Sequence, residues 1–181
     1  MVRTEGAQET ISQRLKRVPR IARKLDRMAK SPSGRSPLAR LEDIGGVRAV
    51  LKDGPELDRV RARIEKNWAK DFKREARDYI AYPKDIGYRA VHFVVVRDGR
   101  AIEVQLRTRG QQEWAEAVEA ADARHGLNLK DGVGPSEMVE YFEVAGEVIY
   151  RREYHLDIPS GTLARFSAAR EAVIEAGYYR A

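Results

Sequence analysis

The chain has 181 residues, of which 43% are hydrophobic, and its 34 Lys and Arg outnumber 28 Asp and Glu for a net charge of +6. This length and apolar content predict one domain, residues 1–181, with a core of ordinary size. The chain has no cysteine, which excludes disulfides, thiolate catalysis and Cys-based zinc sites, and its three histidines do not favour a His-rich metal cluster. Any metal should therefore take oxygen ligands, as Mg²⁺ or Mn²⁺ does.

The apolar runs and the charge distribution predict where the chain works. It contains no run of about 18 apolar residues and no secretion signal, which predicts a cytoplasmic protein without a membrane partner. Residues 1–40 hold eleven Lys and Arg against three acids, whereas residues 41–181 hold 23 against 25. A local basic excess of this kind suits a polyphosphate or a nucleic-acid backbone.

The first predicted element is an amphipathic helix. Apolar residues recur at spacings of four and three and predict a helix that runs to about residue 29, with a second start at Pro19. These residues are Ile11, Leu15, Val18, Ala22 and Leu25. Arg20, Lys24 and Arg27 would then form one cationic stripe on the opposite face. Such a stripe either holds a triphosphate or is an ordinary solvated helix face.

The later elements alternate between strand and helix. Residues 31–37 predict a loop, 44–51 a buried strand, 55–68 a helix, and 71–80 a strand or an extended segment. Residues 90–97 and 101–107 predict a hairpin that turns at Asp98 and Gly99. Helices follow at 111–124, from an N-cap at Ser136 to about residue 150, and at 160–176 with Gly177 as the stop. This order predicts an α/β (α+β) fold in which a mixed β-sheet is flanked by helices.

Two carboxylates stand beside apolar strands. Asp43 directly precedes the strand at 44–51, and the two glycines after Ile44 allow another group to approach the backbone closely. It is either a Mg²⁺ ligand or a turn residue. Glu103 shares one face of its strand with Gln105 and Arg107, because side chains alternate along a strand. That polar face either lines a site or faces solvent at the edge of the sheet.

The segment 82–92 combines a rigid loop with cations and an aromatic ring. Pro83 and Gly87 punctuate it, while Lys84, Tyr88 and His92 supply charge, a stacking face and hydrogen-bonding groups. Aromatic rings stack on bases at about 1–3 kcal/mol each, and neighbouring cations hold phosphates. The segment therefore predicts a purine clamp, and the alternative is a structural turn with a core Tyr and a hydrogen-bonded His.

Together these motifs resemble the synthetase domain of the RelA/SpoT alarmone synthetases, most closely the small stand-alone members. The resemblance covers about residues 14–119. It lies in the motifs Arg14-Leu-Lys16, Asp43-Ile-Gly-Gly-Val-Arg48, Tyr82 to His92, and Glu103-Val-Gln-Leu-Arg-Thr108. It implies a nucleotidyltransferase-like RelA/SpoT synthetase fold, with a catalytic core at about 14–125 and C-terminal helices at about 136–177. It also implies transfer of the β,γ-pyrophosphate of ATP to the 3′-hydroxyl of GDP or GTP, with release of AMP.

The resemblance assigns a role to each motif residue. The implied ATP-binding residues are Arg14, Lys16, Lys24, Arg27 and Arg48, and the implied acceptor-binding residues are Lys84, Tyr88, His92, Gln105 and Arg107. Glu103 would orient and activate the attacking hydroxyl, and Asp43, together with Glu103, would bind Mg²⁺. Pyrophosphoryl transfer depends on such positioning and on cations, and needs little covalent help.

Several positions depart from the family pattern and leave the acceptor open. They are Arg20, Ala90, Glu119 and Ala120. Toxin-type relatives pyrophosphorylate adenosine nucleotides or the 3′ end of tRNA, so tRNA and an antitoxin or immunity protein are alternative partners. A non-catalytic RNA-binding module is a third interpretation. Asp43 and Glu103 argue against it, since a pure binder needs no carboxylates that face a polyanion.

The apolar residues of the C-terminal helices have two interpretations. They form either ordinary core or the surface of a homo-oligomer, and core packing is the favoured one. The residues concerned are Tyr141, Phe142, Val148, Ile149 and Tyr150.

Overall fold

The computed structural model describes residues 10–16, 18–29 and 41–179, except for the side chains of Thr10, Arg20 and Arg27. The loop predicted at 31–37 lies outside these residues. The cationic stripe on the first helix is described only at Lys24.

Five strands form one mixed sheet in the spatial order β1-β2-β5-β4-β3. They are β1 (Thr10–Leu15), β2 (Gly45–Leu51), β3 (Arg77–Asp78), β4 (Val91–Arg97) and β5 (Arg100–Thr108). β2 pairs with β5 in parallel, and all other neighbours are antiparallel. β5 is therefore the central strand, and the predicted hairpin at Asp98 and Gly99 joins it to β4.

Five α-helices accompany this sheet in the described residues. They are α1 (Val18–Ala29), α2 (Gly54–Trp68), α3 (Arg109–His125), α4 (Ser136–Glu153) and α5 (Ser160–Glu175). Thr108 caps α3 reciprocally with Gln111, so the end of the central strand directly fixes the start of a helix. The predicted fold class, a mixed sheet with helices, is confirmed.

One predicted helix is wrong in its first part. Residues 10–15 form the edge strand β1, and the helix begins only at Val18. Ile11 and Leu15 are four residues apart, a spacing that places two side chains on one face of either a helix or a strand. Pairing with β2 decides between the two, and that pairing is a tertiary contact.

Two smaller predictions also change. Ser136 is not an N-cap: it is the first residue of α4, the cap position belongs to Pro135, and the Ser136 hydroxyl bonds to the Glu137 side chain instead. In the segment 71–80 only Arg77 and Asp78 pair as a strand.

The core has two parts. The first lies between α2 and the apolar face of the sheet and includes Leu51, Leu57, Ile64, Phe93 and Leu106. The second joins α3, α4 and α5 and includes Trp114, Val118, Leu129, Met138 and Phe142.

The C-terminal apolar residues belong to this core. Phe142 and Val148 are buried, and Tyr141, Ile149 and Tyr150 are partly buried against the two clusters. Core packing is therefore the confirmed interpretation for these residues. Within the described ranges, no helix is both long enough and apolar enough to cross a bilayer.

Candidate active site

The face of the sheet opposite α2 is polar and collects side chains from four strands. Arg14 pairs with Gly46, and Gly46 pairs with Glu103. Two residues further along the strands, Arg48 of β2 pairs with Gln105 of β5. His92 of β4 pairs with Gln105 from the other side. Directly paired residues point to the same face of a sheet, so these groups converge.

The polar face of β5 does not lie at a solvent-facing edge. Glu103 is 8% exposed, Gln105 4% and Arg107 7%. Charged residues are rarely this buried unless they are paired or serve a site. The polar face of β5 is therefore a buried floor and not a solvent-facing edge, and its role in binding stays a prediction.

A cavity of about 290 Å³ opens over this face. Most of the residues predicted from sequence line it: Arg14, Asp43, Lys84, Tyr88, His92, Glu103, Gln105 and Arg107. Lys16 and Lys24 reach the cavity indirectly, through Asp43. The side chain of Arg27 lies outside the described part of the chain.

Glu103 is held by three donors. Its Oε2 accepts hydrogen bonds from Arg14 Nη1 at 3.0 Å and Gln105 Nε2 at 2.6 Å, and its Oε1 lies 3.1 Å from His92 Nδ1. Burial alone would raise the pKa of Glu103, but the hydrogen bond and charge of His92, the hydrogen bond from Gln105 and the charge of Arg14 lower it to about 2. The group is thus a fixed carboxylate at neutral pH.

Asp43 is ionised as well, but one of its oxygens has no donor among the described residues. Its Oδ2 pairs with Lys16 and, at 2.9 Å, with Lys24. Burial would raise the pKa of Asp43, and these two lysines lower it below its usual value of 3.8. Its Oδ1 is buried and accepts no hydrogen bond from any residue that the structure describes. An orphaned anionic oxygen of this kind fits a hard cation such as Mg²⁺.

Glu103, in contrast to Asp43, has no unpartnered oxygen. Both of its oxygens already have partners, so a cation could bind there only if a donor left. The donor set therefore fits a metal at Asp43 better than at Glu103.

Three guanidinium groups are crowded beside the carboxylates. Burial, and then the charges of Arg107 and Arg14, lower the pKa of Arg48. Its Nε is buried and has no partner among the described residues. Like charges held this close repel one another, and an anion bound between them would relieve the repulsion. This arrangement of charges fits a bound polyanion.

The loop before β4 forms the other wall of the cavity. Ile86 and Gly87 both have positive φ angles, 54° and 84°, which gives the loop its sharp turn. Tyr88 follows, and its ring lies between Tyr79, at 5.7 Å, and Trp114, at 6.2 Å. Burial raises the pKa of Tyr88, so its hydroxyl keeps its proton.

Helix α4 supports this loop from behind. A Cβ placed on Gly87 would lie 2.9 Å from the Glu143 carbonyl oxygen, and one placed on Gly146 would lie 2.6 Å from the Gly87 carbonyl oxygen. Arg89 also donates to Glu147 at 2.5 Å. Helix α4 therefore supports this loop, residues 82–88, as well as filling core; we call it the acceptor loop after the role that the resemblance implies.

Several residues of the cavity were not found by sequence reasoning. They are Arg77, Tyr79, Asp85, Ile86, Trp114, Ala115, Lys130 and Asp131. Tyr79, Asp85 and Ile86 are within or next to the loop motif, so a wider reading of that motif would have included them. Lys130 and Asp131 lie in a short turn after α3, where no spacing or periodicity points to a site.

The family is decided by a sequence match over this region. The pattern described as a region found in RelA / SpoT proteins matches residues 13–126, which is more than half of the chain. The chain belongs to the RelA/SpoT family. The matched residues include the last three residues of β1, the loop at 82–88 and all of β5, each of which contributes side chains to the cavity.

Curated relatives of this RelA/SpoT chain are much longer proteins. A probable chloroplastic GTP diphosphokinase of Arabidopsis thaliana is 33% identical over 86 residues, which are 47% of this chain and 12% of the relative. A GTP pyrophosphokinase of Photobacterium angustum is 29% identical over 93 residues, which are 51% of this chain and 12% of the relative. The match thus spans only 12% of the length of these relatives.

Solved structures confirm the RelA/SpoT synthetase fold. Small alarmone synthetase 1 of Bacillus subtilis, bound to its product pppGpp, has a TM-score of 0.63 at 24% identity over 80% of this chain and 74% of that one. Small alarmone synthetase 2 of the same organism has a TM-score of 0.62 at 22% identity, over 84% and 82%.

Gly46→Ala should damage the RelA/SpoT site through the backbone. The added Cβ would lie 2.7 Å from the carbonyl oxygen of Glu103, so β2 and β5 would have to separate. Overpacking of this kind costs about 1–3 kcal/mol of stability, which chemical denaturation can measure. Gly45→Ala is the matched control, because its Cβ meets nothing within 4 Å. Equal stability of the two variants would contradict this packing.

Gly146→Ala should displace the acceptor loop. The new Cβ would lie 2.6 Å from the Gly87 carbonyl oxygen. We expect a higher KM for the acceptor and a lower rate, since a shift of about 1 Å can cost up to about 10²-fold. Gly161→Ala, with nothing within 4 Å of its Cβ, should leave both constants unchanged. Steady-state kinetics with varied acceptor distinguishes them, and an unchanged KM in Gly146→Ala would contradict the role of α4.

Proposed function

We propose that this chain is an ATP-dependent pyrophosphokinase that transfers the β,γ-pyrophosphate of ATP to the 3′-hydroxyl of GDP or GTP and releases AMP, making (p)ppGpp. The observation that carries the proposal is a pair of ionised carboxylates, Asp43 and Glu103, that line one cavity among convergent cations. The names of the curated relatives and the pppGpp product named for a similar structure support the same reaction.

The donor half of the site is proposed to lie around Asp43. Its free Oδ1 would hold Mg²⁺, or Mn²⁺, together with ATP phosphate oxygens. The bound ion would neutralise charge that develops on the transferred phosphates. Lys16 and Lys24 are already at Asp43 and can move to the phosphates, while Arg14 and Arg48 supply planar cations for the nucleotide.

The acceptor half is proposed to lie between Glu103 and Tyr88. The 3′-oxygen attacks the β-phosphorus of ATP, the bond from that phosphorus to the oxygen bridging the α- and β-phosphates breaks, and AMP leaves with the bridging oxygen. Because the pKa of Glu103 is about 2, it is a weak base. Its task is to accept a hydrogen bond from the hydroxyl and to take the proton late, as the new bond forms.

The carboxylates at the rim favour guanine over adenine as the acceptor base. Asp85 and Asp131 line the cavity on the side of the acceptor loop. Guanine presents N–H donors at N1 and N2, which a carboxylate can accept, whereas N1 of adenine is itself an acceptor. Transfer to tRNA or to adenosine nucleotides remains the second candidate, supported by the basic residues 1–40.

Labelled ATP tests the proposal directly. The purified protein is incubated with γ-labelled ATP and Mg²⁺ and, in separate reactions, with GDP, GTP, ADP or tRNA. We expect label on GDP and GTP with one AMP per transfer. Label on tRNA or ADP alone would select the toxin-type reaction. No label and no AMP would overturn the enzyme, and salt-sensitive RNA binding in that case would favour the RNA-binding module. Partnership with an antitoxin and self-association stay predictions.

A further inference from the structure

A continuous line of hydrogen bonds leads from the acceptor loop to Glu103. Arg107 Nη2 donates to the Tyr88 hydroxyl at 2.8 Å. The Tyr88 hydroxyl lies 2.7 Å from His92 Nε2, and His92 Nδ1 lies 3.1 Å from Glu103 Oε1. The side chains of His92 and Glu103 are 12% and 11% exposed, so water competes little for these bonds.

The chemistry of the two ends fixes the direction of every bond. Arg107 can only donate, and an ionised carboxylate at Glu103 can only accept. A neutral imidazole has one donor nitrogen and one acceptor nitrogen. His92 Nδ1 must therefore carry the hydrogen and give it to Glu103, while Nε2 accepts from the Tyr88 hydroxyl. With these directions, each hydrogen bond of the line has one donor and one acceptor.

The two oxygens of Glu103 are held differently. Oε2 is bonded to Arg14, which stands on the edge strand β1, and to Gln105. In the proposed reaction Arg14 turns to the donor nucleotide, and Oε2 becomes available to the acceptor hydroxyl. Oε1 stays with His92, which stands on the neighbouring strand β4. The hydrogen bond from His92 then keeps the Glu103 carboxylate oriented when Arg14 moves away.

We propose that His92 is a positioning residue that, as the Nδ1–H tautomer, ties the Arg107 and Tyr88 pair to Glu103 and holds the carboxylate toward the acceptor hydroxyl. The inference rests on the proposed function. It also assigns His92 a different task from the acceptor contact that the resemblance implies, because both ring nitrogens are engaged within the protein. Its loss should lower kcat and leave the acceptor KM nearly unchanged.

Two amide substitutions distinguish between the two hydrogen bonds of the His92 ring. The side-chain amide of His92→Asn can place an N–H near the position of Nδ1, so it can still donate to Glu103. The longer His92→Gln places its amide near the position of Nε2, so it keeps the Tyr88 side and loses Glu103. We expect His92→Gln to lose about 10²-fold in kcat, because residues that orient a functional group contribute up to about that much. His92→Asn should lose no more than about tenfold. His155→Asn, at an exposed residue with a positive φ of 53°, is the control and should behave as wild type.

A second measurement does not depend on the activity of any His92 variant. Nitrogen NMR of the wild-type imidazoles reports which ring nitrogen carries the hydrogen, and the signal missing in His92→Gln identifies His92. The proposal requires Nδ1–H. An Nε2–H tautomer, equal loss of kcat in the Asn and Gln variants, or a rise in acceptor KM without a change in kcat would each overturn it. A wild-type protein without transfer activity would overturn the proposed function instead, whereas an active wild type with one of those three results overturns only the role of His92.

Discussion

Glu103→Gln should lose about 10²- to 10⁴-fold in the rate of pyrophosphate transfer, the usual contribution of a positioned acid or base. The amide has the shape of the carboxyl group but no charge, and in one orientation it brings an N–H toward Arg14 Nη1 and Gln105 Nε2, which are both donors. The acceptor hydroxyl then loses an anionic hydrogen-bond acceptor. AMP release under saturating ATP and GDP measures the effect.

The fold and the donor half should survive this change. Circular dichroism and ATP affinity are therefore the controls, and Glu103→Asp, which keeps the charge but shortens the side chain by one methylene, should fall between wild type and Gln. Turnover near the wild-type value in a folded Glu103→Gln variant would remove Glu103 from the mechanism.

Asp43→Asn should reduce turnover by at least about 10²-fold, which corresponds to about 2.7 kcal/mol of lost transition-state stabilisation. The substitution removes the negative charge of Asp43, whose Oδ1 has no partner among the described residues, and leaves Lys16 and Lys24 without this counter-ion. A site that depends on Mg²⁺ should then need far more of it. The measurement is the rate as a function of Mg²⁺ concentration at fixed ATP.

Glu42→Gln is the matched control for Asp43→Asn. Glu42 is the adjacent carboxylate, but it pairs with Lys73 and Arg74. Its variant should keep the wild-type rate and Mg²⁺ dependence. If Asp43→Asn required no more Mg²⁺ than Glu42→Gln, the metal would not be bound by Asp43.

The sequence predicted the strands that carry the site more completely than the contacts within it. The alternation along residues 102–107 correctly placed Glu103, Gln105 and Arg107 on one face. It could not show that this face is buried, because burial depends on β5 lying between β2 and β4 in the sheet. Strand order is a property of distant contacts, and a local pattern does not contain it.

The partners of the two carboxylates could not be predicted from the sequence for the same reason. Arg14 reaches Glu103 across 89 residues, and Lys16 reaches Asp43 across 27. The prediction of one long helix from Ile11 would even have placed Arg14 and Lys16 on a helix, whereas β1 aligns Arg14 with Gly46 and brings it to the floor of the cavity. The spacing of two apolar residues four apart fits both structures, so only the sheet pairing resolves it.

The contact between α4 and the acceptor loop could likewise not be predicted from the sequence. Gly146 looks like an ordinary glycine within a helix, where it costs about 1 kcal/mol relative to Ala. Its contact with Gly87, 59 positions earlier in the numbering, explains why a side chain is excluded there. Sequence reasoning assigned the C-terminal helices to core, and the close approach to the loop gives part of that core a place in the site.

The most direct measurement is the identity of the products formed from ATP and GDP by the Mg²⁺-loaded protein. Mass spectrometry and phosphorus NMR should show AMP together with a GDP that carries a pyrophosphate on its 3′-oxygen, and 3′-deoxy-GDP should give no product. Release of ADP in place of AMP, or equal reaction of the 3′-deoxy acceptor, would contradict pyrophosphate transfer to the 3′-hydroxyl.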